Sequence, residues 1–278
     1  MAESPIRAAF ARAQAEGRVA FIPYVMLGYP DMATSIALAK VLAEAGADII
    51  ELGVPFSDPL ADGATIQHAS QRALETGTTL ATCLDMARAI AAVTDVPLVF
   101  MGYYNPFLRM GFANACQQMA AAGVSGTIIP DVPVEEAGVL IAAGKEYGVN
   151  PIFLITPTSP DDRIAHVAAM AREADSGFIY CVSLSGVTGA RTAMATELPD
   201  FVARARRHTR ELPLGIGFGI AQPEQAAAMA QLGDGIIVAS ALINAFDHAP
   251  AGAGVAAVAT LAQALRAAAT KAETGDTP

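Results

Sequence analysis

Short, uniformly apolar runs alternate with longer stretches of helical periodicity along almost the whole of this 278-residue chain. The strand-like runs are Phe21–Val25, Ile49–Leu52, Leu98–Met101, Thr127–Ile129, Ile152–Ile155, Phe178–Val182, Leu214–Gly217 and Gly235–Val238, eight in all. They are apolar throughout rather than alternating, which marks strands covered on both faces. Between them the spacing predicts a helix over residues 31–45, with Asp31 as N-cap, Gly46 as stop and Leu38, Val41, Leu42 and Ala45 as its apolar stripe. A second, over 198–208, puts Leu198, Phe201, Val202 and Ala205 on one face. A third opens on Pro223 and ends before Gly233, and the last carries Val255, Val258, Leu261 and Leu265.

Several units end alike. Ala-Gly-Ala-Asp-Ile-Ile (45–50) has echoes in Ala-Gly-Val-Ser-Gly-Thr-Ile-Ile (122–129) and Leu-Gly-Asp-Gly-Ile-Ile (232–237). In each, glycine closes a helix and a buried strand follows a short turn, the signature of repeated βα units. Eight such units predict a TIM barrel, and the length suits that fold as a single domain. The expected domain is the whole of 1–278, with a core of about 18–270, no linker, and fraying at the first few residues and at Glu273–Pro278. A doubly wound sheet is the competitor. It normally carries GxGxxG after its first strand, which is absent here; Gly215, Gly217 and Gly219 give GxGxG instead, and there is no Walker A motif.

Charge and composition narrow the chemistry. A net charge of −10 disfavours nucleic acid and anionic membrane surfaces. An anionic substrate would therefore need a local cradle of backbone N–H groups. Cys83, Cys116 and Cys181 are far apart, lie in apolar stretches and form no CxxC pair, as expected of reduced buried thiols in the cytoplasm. Glu3 and Glu16 interrupt the N-terminal stretch, which lacks the apolar core of a signal peptide, and no apolar run has transmembrane length.

In a TIM barrel the active site is assembled at the C-terminal ends of the strands. The second strand ends on Glu51, a carboxylate inside an apolar run, with no basic residue close by in sequence. Such a group either finds an ionic partner in the fold or keeps its proton; the second is expected here. The Pro- and Gly-rich segment that follows carries Asp58 and Asp62. Asp62 also suits a plain Asp-Gly turn with Gly63, and Asp58, before Pro59, reads as a turn or surface residue. Asp131, in Pro130-Asp131-Val132-Pro133, reads as structural. The loops after the last strands offer Gly219, Ala239 and Ser240. Singly these residues permit tight turns; placed after successive strands they suit an anion held by backbone N–H groups and the Ser240 hydroxyl. His68, His166, His208 and His248 are isolated, so no metal site is expected. Lys40, Lys145 and Lys271 lie in helical segments, which argues against a Schiff-base lysine at a strand end.

The run Glu-Leu-Gly-Val-Pro-Phe-Ser-Asp-Pro-Leu-Ala-Asp-Gly-Ala-Thr-Ile-Gln (51–67) resembles the signature of the tryptophan synthase alpha subunit family. Agreement spans roughly residues 20–245, through Pro130–Pro133, Ser185–Gly189 and Gly217–Ile220. The resemblance implies a barrel lyase that cleaves indole-3-glycerol phosphate to indole and glyceraldehyde 3-phosphate. It implies no cofactor in this chain, and a beta subunit, bearing pyridoxal phosphate, that joins indole to serine within an alpha2-beta2 heterotetramer. It further implies Glu51 as acid–base catalyst, Asp62 as acceptor of the indole N–H, and Tyr180 in support. Tyr24, Tyr103, Ile128, Leu154 and Phe218 would line the indole pocket. Thr188 would lie on a closing loop of about 184–195, opposite a loop of about 54–63. Gly189, Gly219, Ala239 and Ser240 would hold phosphate, and Asp58 with the Tyr104-Asn105-Pro106 loop would meet the beta subunit. Three positions depart from the family pattern: Ala64 for a proline, Ala239 for a glycine, and Leu184 for a charged residue of some members. A stand-alone lyase, a phosphate-binding isomerase and a non-catalytic subunit are the rival readings. Intact Glu51 and Asp62 argue against the last, and the isomerases favour lysines or paired aspartates at strand ends.

Overall fold

The computed structural model describes residues 4–182, 190–217 and 219–271, with backbone alone over 190–196. Eight parallel strands close into a barrel in chain order: β1 (Ala20–Met26), β2 (Ile50–Gly53), β3 (Leu98–Met101), β4 (Val124–Ile128), β5 (Asn150–Ile155), β6 (Ile179–Val182), β7 (Leu214–Gly217) and β8 (Gly235–Val238). The predicted TIM barrel is thus the observed fold. The helices are α1 (Pro5–Ala15), α2 (Met32–Glu44), α3 (Ala64–Glu75), α4 (Leu80–Ala91), α5 (Tyr104–Met110), α6 (Phe112–Ala121), α7 (Gly138–Tyr147), α8 (Asp161–Glu173), α9 (Ala190–Thr209), α10 (Pro223–Ala230), α11 (Ser240–Asp247) and α12 (Gly254–Ala268).

The strands are apolar on both faces because each face has a separate core. Phe21, Ile50, Leu52, Phe100 and Ile236 point outward into the helix layer, while Ile22, Ile49, Val99, Ile128, Ile152 and Phe178 fill the barrel interior. Asp31 caps α2 by accepting the Thr34 N–H at 2.8 Å, as predicted, and Gly46 ends that turn at φ +92°. The repeated helix-to-strand ending has a physical purpose. Asp48 accepts the Phe21 N–H of β1 at 2.9 Å and pairs with buried Arg18. Asp234 does the same before β8, accepting the Leu214 N–H of β7 at 2.8 Å and pairing with Arg206. Each aspartate ties its own strand to the preceding one at the N-terminal rim.

Two elements differ from the sequence expectation. The helix expected at 198–208 begins at Ala190 and holds Pro199 inside it; the apolar face of Leu198, Phe201, Val202 and Ala205 marks only its C-terminal part. More consequential is α1, which lies below residue 18, where the predicted core begins. Ile6, Ala9, Phe10 and Ala13 are buried with the barrel interior. A Cβ at Gly126 or Gly177 would collide with Ile6, and one at Gly235 would press on Phe10. Helix α1 therefore seals the N-terminal end of the barrel, with Phe10 against Phe178 at a ring separation of 5.3 Å.

Phe10→Ala should cost roughly 3–5 kcal/mol, because the glycine-lined floor cannot collapse to fill the space. Chemical unfolding of the two proteins measures this; a loss below about 1 kcal/mol would mean that α1 is not part of the barrel core.

Candidate active site

The C-terminal end of the barrel gathers most of the residues the sequence singled out. Strand pairing sets Tyr24, Glu51 and Val99 side by side on β1, β2 and β3. Glu51 is 1% exposed. Its Oε2 is buried without a hydrogen-bond partner, and among the described residues no cation pairs with it. Burial pushes this carboxyl from its ordinary 4.5 up to about 8, and the neighbouring Asp62 carboxylate adds to the rise. Of the two sequence alternatives for Glu51, ion-pair partner or protonated acid, the geometry supports the second.

Asp62 sits half-buried on the segment between β2 and α3. Burial lifts it from 3.8 to about 6, and a hydrogen bond from the Tyr103 hydroxyl pulls the other way. The same hydroxyl accepts the Ala61 N–H at 3.0 Å. Tyr103 also stacks on Phe56 at 5.1 Å, and Ser70 closes the base of the segment through the Phe56 N–H and carbonyl at 2.9 and 3.0 Å. Gln67 donates to the Asp62 carbonyl at 2.9 Å. Asp62 is thus not a free turn residue. It hangs on a loop pinned at several points, near enough to Glu51 for its charge to act there. Sequence reasoning gave Tyr103 only a place in an apolar wall and missed Phe56, Gln67 and Ser70. A tyrosine at a strand end was visible, but nothing local shows which loop its hydroxyl reaches.

Tyr24 and Tyr180 flank the two carboxyl groups. Burial, then the two carboxylates, hold both phenols well above the ordinary tyrosine value; Asp62 acts more strongly on Tyr24 and Glu51 on Tyr180. Each ring occupies space left by a glycine. A Cβ at Gly53 would lie 1.9 Å from the Tyr24 hydroxyl, and one at Gly217 would lie 2.6 Å from the Tyr180 hydroxyl. Ile128 and Leu154 belong to the same interior cluster as Tyr180.

Gly219 takes φ +63° with open space beside it. Ala239 is the N-cap of α11, and Ser240 is its first residue, with both half-exposed. The free N–H groups at this helix start, next to a left-handed glycine, are suited to an anion. Thr188, Gly189 and Phe218 lie outside the described residues. Asp58 is exposed and accepts the Ser57 hydroxyl at 2.5 Å. Tyr104, Asn105 and Pro106 form the first turn of α5 rather than the loop the sequence suggested, because Asp131 caps that helix by accepting the Tyr104 N–H at 2.8 Å. Asp131 is therefore structural, as read. Ala64 opens α3, so the helix forms without the proline common there.

The arrangement offers a buried carboxyl that keeps its proton near neutrality, an ionisable carboxylate near it, an apolar aromatic chamber and a helix start with free N–H groups. Whole-chain comparisons give the family. The tryptophan synthase alpha chain family model matches residues 10–272. The tryptophan synthase alpha chain of Roseiflexus castenholzii is 51% identical over 267 residues, 95% of this chain and 99% of that one. That of Geobacter sulfurreducens is 46% identical over 263 residues, 95% and 98% of the two chains. Among solved structures, a chain of Mycobacterium tuberculosis tryptophan synthase superposes with a TM-score of 0.88 at 36% identity, over 98% of this chain and 100% of that one.

Glu51 makes stability depend on pH in a direction unusual for a carboxylate. The folded chain keeps its proton up to about pH 8, whereas an unfolded chain loses it near 4.5. Between those values the native state binds more protons, so this group's effect on stability becomes less favourable as pH rises, by at most roughly 1.4 kcal/mol per unit. Below the window both states are protonated and above it both are ionised, so the effect is flat. Glu51→Gln removes the group, and its stability relative to the parent should climb steadily across the window in denaturant titrations. A pH-independent difference would show that Glu51 ionises like a surface carboxylate.

Proposed function

The chain belongs to the tryptophan synthase alpha chain family, and from that premise we propose that it cleaves indole-3-glycerol phosphate to indole and D-glyceraldehyde 3-phosphate, with indole passing to a beta subunit for tryptophan synthesis. The observation that carries this reading is the Glu51 carboxyl, buried, with no cation beside it among the described residues, and raised to about 8 beside Asp62.

The reaction breaks the bond between indole C3 and the glycerol chain. Indole leaves poorly until C3 takes a proton, so the first need is an acid that is still protonated near neutrality. Glu51 fills that role, and its conjugate base then helps remove the proton from the glycerol hydroxyl as the carbonyl forms. Protonation at C3 drives positive charge toward the indole nitrogen. Asp62 accepts the N–H hydrogen bond and stabilises that charge as it develops. Tyr103 holds Asp62 at its post, and Tyr180 supports the Glu51 side. Tyr24, Tyr103, Ile128, Leu154 and Phe218 surround the indole. Gly189, Gly219, Ala239 and Ser240 take the phosphate, and Thr188 belongs to the loop that closes over it, excluding water.

The family carries no cofactor in this chain; pyridoxal phosphate resides in the beta subunit. For docking of that subunit we assign Asp58 and the first turn of α5 with Tyr104, Asn105 and Pro106. The same two segments expose Leu60, 91% accessible, and Leu108, apolar side chains whose burial would favour association. The relatives matched are chains of tryptophan synthase, which favours the partnered enzyme over a stand-alone lyase. No helix among the described residues is long and apolar enough to cross a membrane, and we assign the reaction to the cytoplasm.

Indole release from indole-3-glycerol phosphate, with and without beta subunit, tests the proposal. Glu51→Gln should lower turnover by roughly a thousandfold or more while substrate-analogue binding persists. Asp62→Asn should fall by about a hundredfold or more. The pH profile of kcat/KM for the parent should be bell-shaped, rising as Asp62 ionises near 6 and falling as Glu51 loses its proton near 8. Near-parental turnover in Glu51→Gln would remove the mechanism.

A further inference from the structure

The segment between β2 and α3 serves two ends at once. Its tip is a tight turn, with the Leu60 N–H on the Asp58 carbonyl at 2.9 Å and the Asp62 N–H on the Pro59 carbonyl at 3.0 Å. Asp58 and Leu60 belong to the face assigned above to the beta subunit. Asp62, two residues past Leu60, belongs to the chemistry.

Ties from α3 hold this segment on one side. Ser70 bonds both polar groups of the Phe56 backbone, and Gln67 donates to the Asp62 carbonyl. Tyr103 reaches it from the other side, from just past the end of β3. Its hydroxyl accepts the Ala61 N–H at 3.0 Å and donates to the Asp62 carboxylate, and its ring stacks on Phe56. One side chain thus holds the segment at three points, including both residues that follow Leu60. Tyr103 is also the N-cap residue of α5, whose first turn carries Tyr104, Asn105 and Pro106, and Asp131 fixes that turn through the Tyr104 N–H. The two segments assigned to the beta subunit therefore meet at one phenol, and the other partner of that phenol is Asp62.

We propose that Tyr103 is a positioning residue through which the docked beta subunit acts on Asp62. A partner covering Leu60 and Leu108 presses the segment and α5 together, which closes the hydroxyl onto Ala61 and Asp62 and fixes the carboxylate for the indole N–H. This rests on the cleavage reaction proposed above and adds its regulation. Burial, then the Asp62 charge, hold the phenol above its ordinary value, so it keeps its proton and remains a donor. A bond donated to a carboxylate favours the charged form. Glu51 on β2, Tyr24 on β1 and Tyr180 on β6 also feel the Asp62 charge, and Asp131 acts on Tyr103. Tyr103→Phe leaves all four in place, since it removes one oxygen and keeps the ring.

That variant, assayed for indole release with and without beta subunit, tests the proposal. The acid limb of kcat/KM, near pH 6 in the parent, should move up by roughly one unit. The rise in kcat at saturating beta subunit should shrink roughly fivefold or more. Ser70→Ala is the control: it frees the base of the segment at Phe56 and should leave the acid limb where it is. Amide hydrogen exchange reads the same coupling without turnover, because docking should slow exchange at the Ala61 N–H far more in the parent than in Tyr103→Phe. An acid limb that stays near 6 in Tyr103→Phe, or activation by the beta subunit as large as the parent's, would overturn the proposal and leave the cleavage reaction standing. A parent that releases no indole would sink the cleavage reaction instead, and exchange at Ala61 would still decide the coupling: equal slowing in both proteins would overturn it.

Discussion

A carboxyl group with no ionic partner among the described residues, 1% exposed at the end of a parallel strand, is the constraint around which the rest of this barrel is arranged. Ionised, Glu51 would be intolerable there; protonated, it is merely a polar group short of one hydrogen bond. The fold tolerates it because no cation among the described residues draws the proton off and a second carboxylate, Asp62, discourages its loss. An arginine in place of Tyr24 or Tyr180 would restore an ordinary ion pair and remove the acid. The same burial that makes the group costly gives it a proton to donate near neutral pH.

Keeping that environment intact requires order at both ends of the barrel. At the floor, α1 inserts Ile6 and Phe10 against glycines that leave room for them. At the mouth, Gly53 and Gly217 make space for the Tyr24 and Tyr180 rings that flank the acid. Between β2 and α3, Tyr103, Phe56, Ser70 and Gln67 hold the segment carrying Asp62. Asp62 thereby faces the acid from a fixed position, with its own ionisation set near 6. The two carboxyl groups thus divide the labour, one neutral and one charged over the pH range between them.

The sequence made the architecture legible because a parallel barrel buries both faces of every strand, so each strand is a compact apolar block between helical stretches. Glu51 stood out for the same reason, as a charge in such a block. Asp62 and the glycine-bearing loops proposed for phosphate stood out through their place after strand ends and a long motif, since Asp-Gly alone looks like any turn. What sequence could not show lay in tertiary contacts. Ile6, Ala9, Phe10 and Ala13 have helical spacing, but nothing local says that this face closes a barrel. Tyr104–Pro106 read as loop because the cap that starts their helix is Asp131, a distant residue. Thr127 sat inside an apolar run like any β-branched strand residue, and its lack of a partner emerged only when its neighbours were placed around it.

The account rests on the proton held by Glu51 in the resting protein. Infrared difference spectroscopy of the parent against Glu51→Gln observes that proton directly, through the carbonyl stretch of a neutral carboxylic acid. The structure calls for a Glu51 acid band that is full at neutral pH and titrates away near 8. A carboxylate band for Glu51 that persists down to its ordinary value of 4.5 would contradict it.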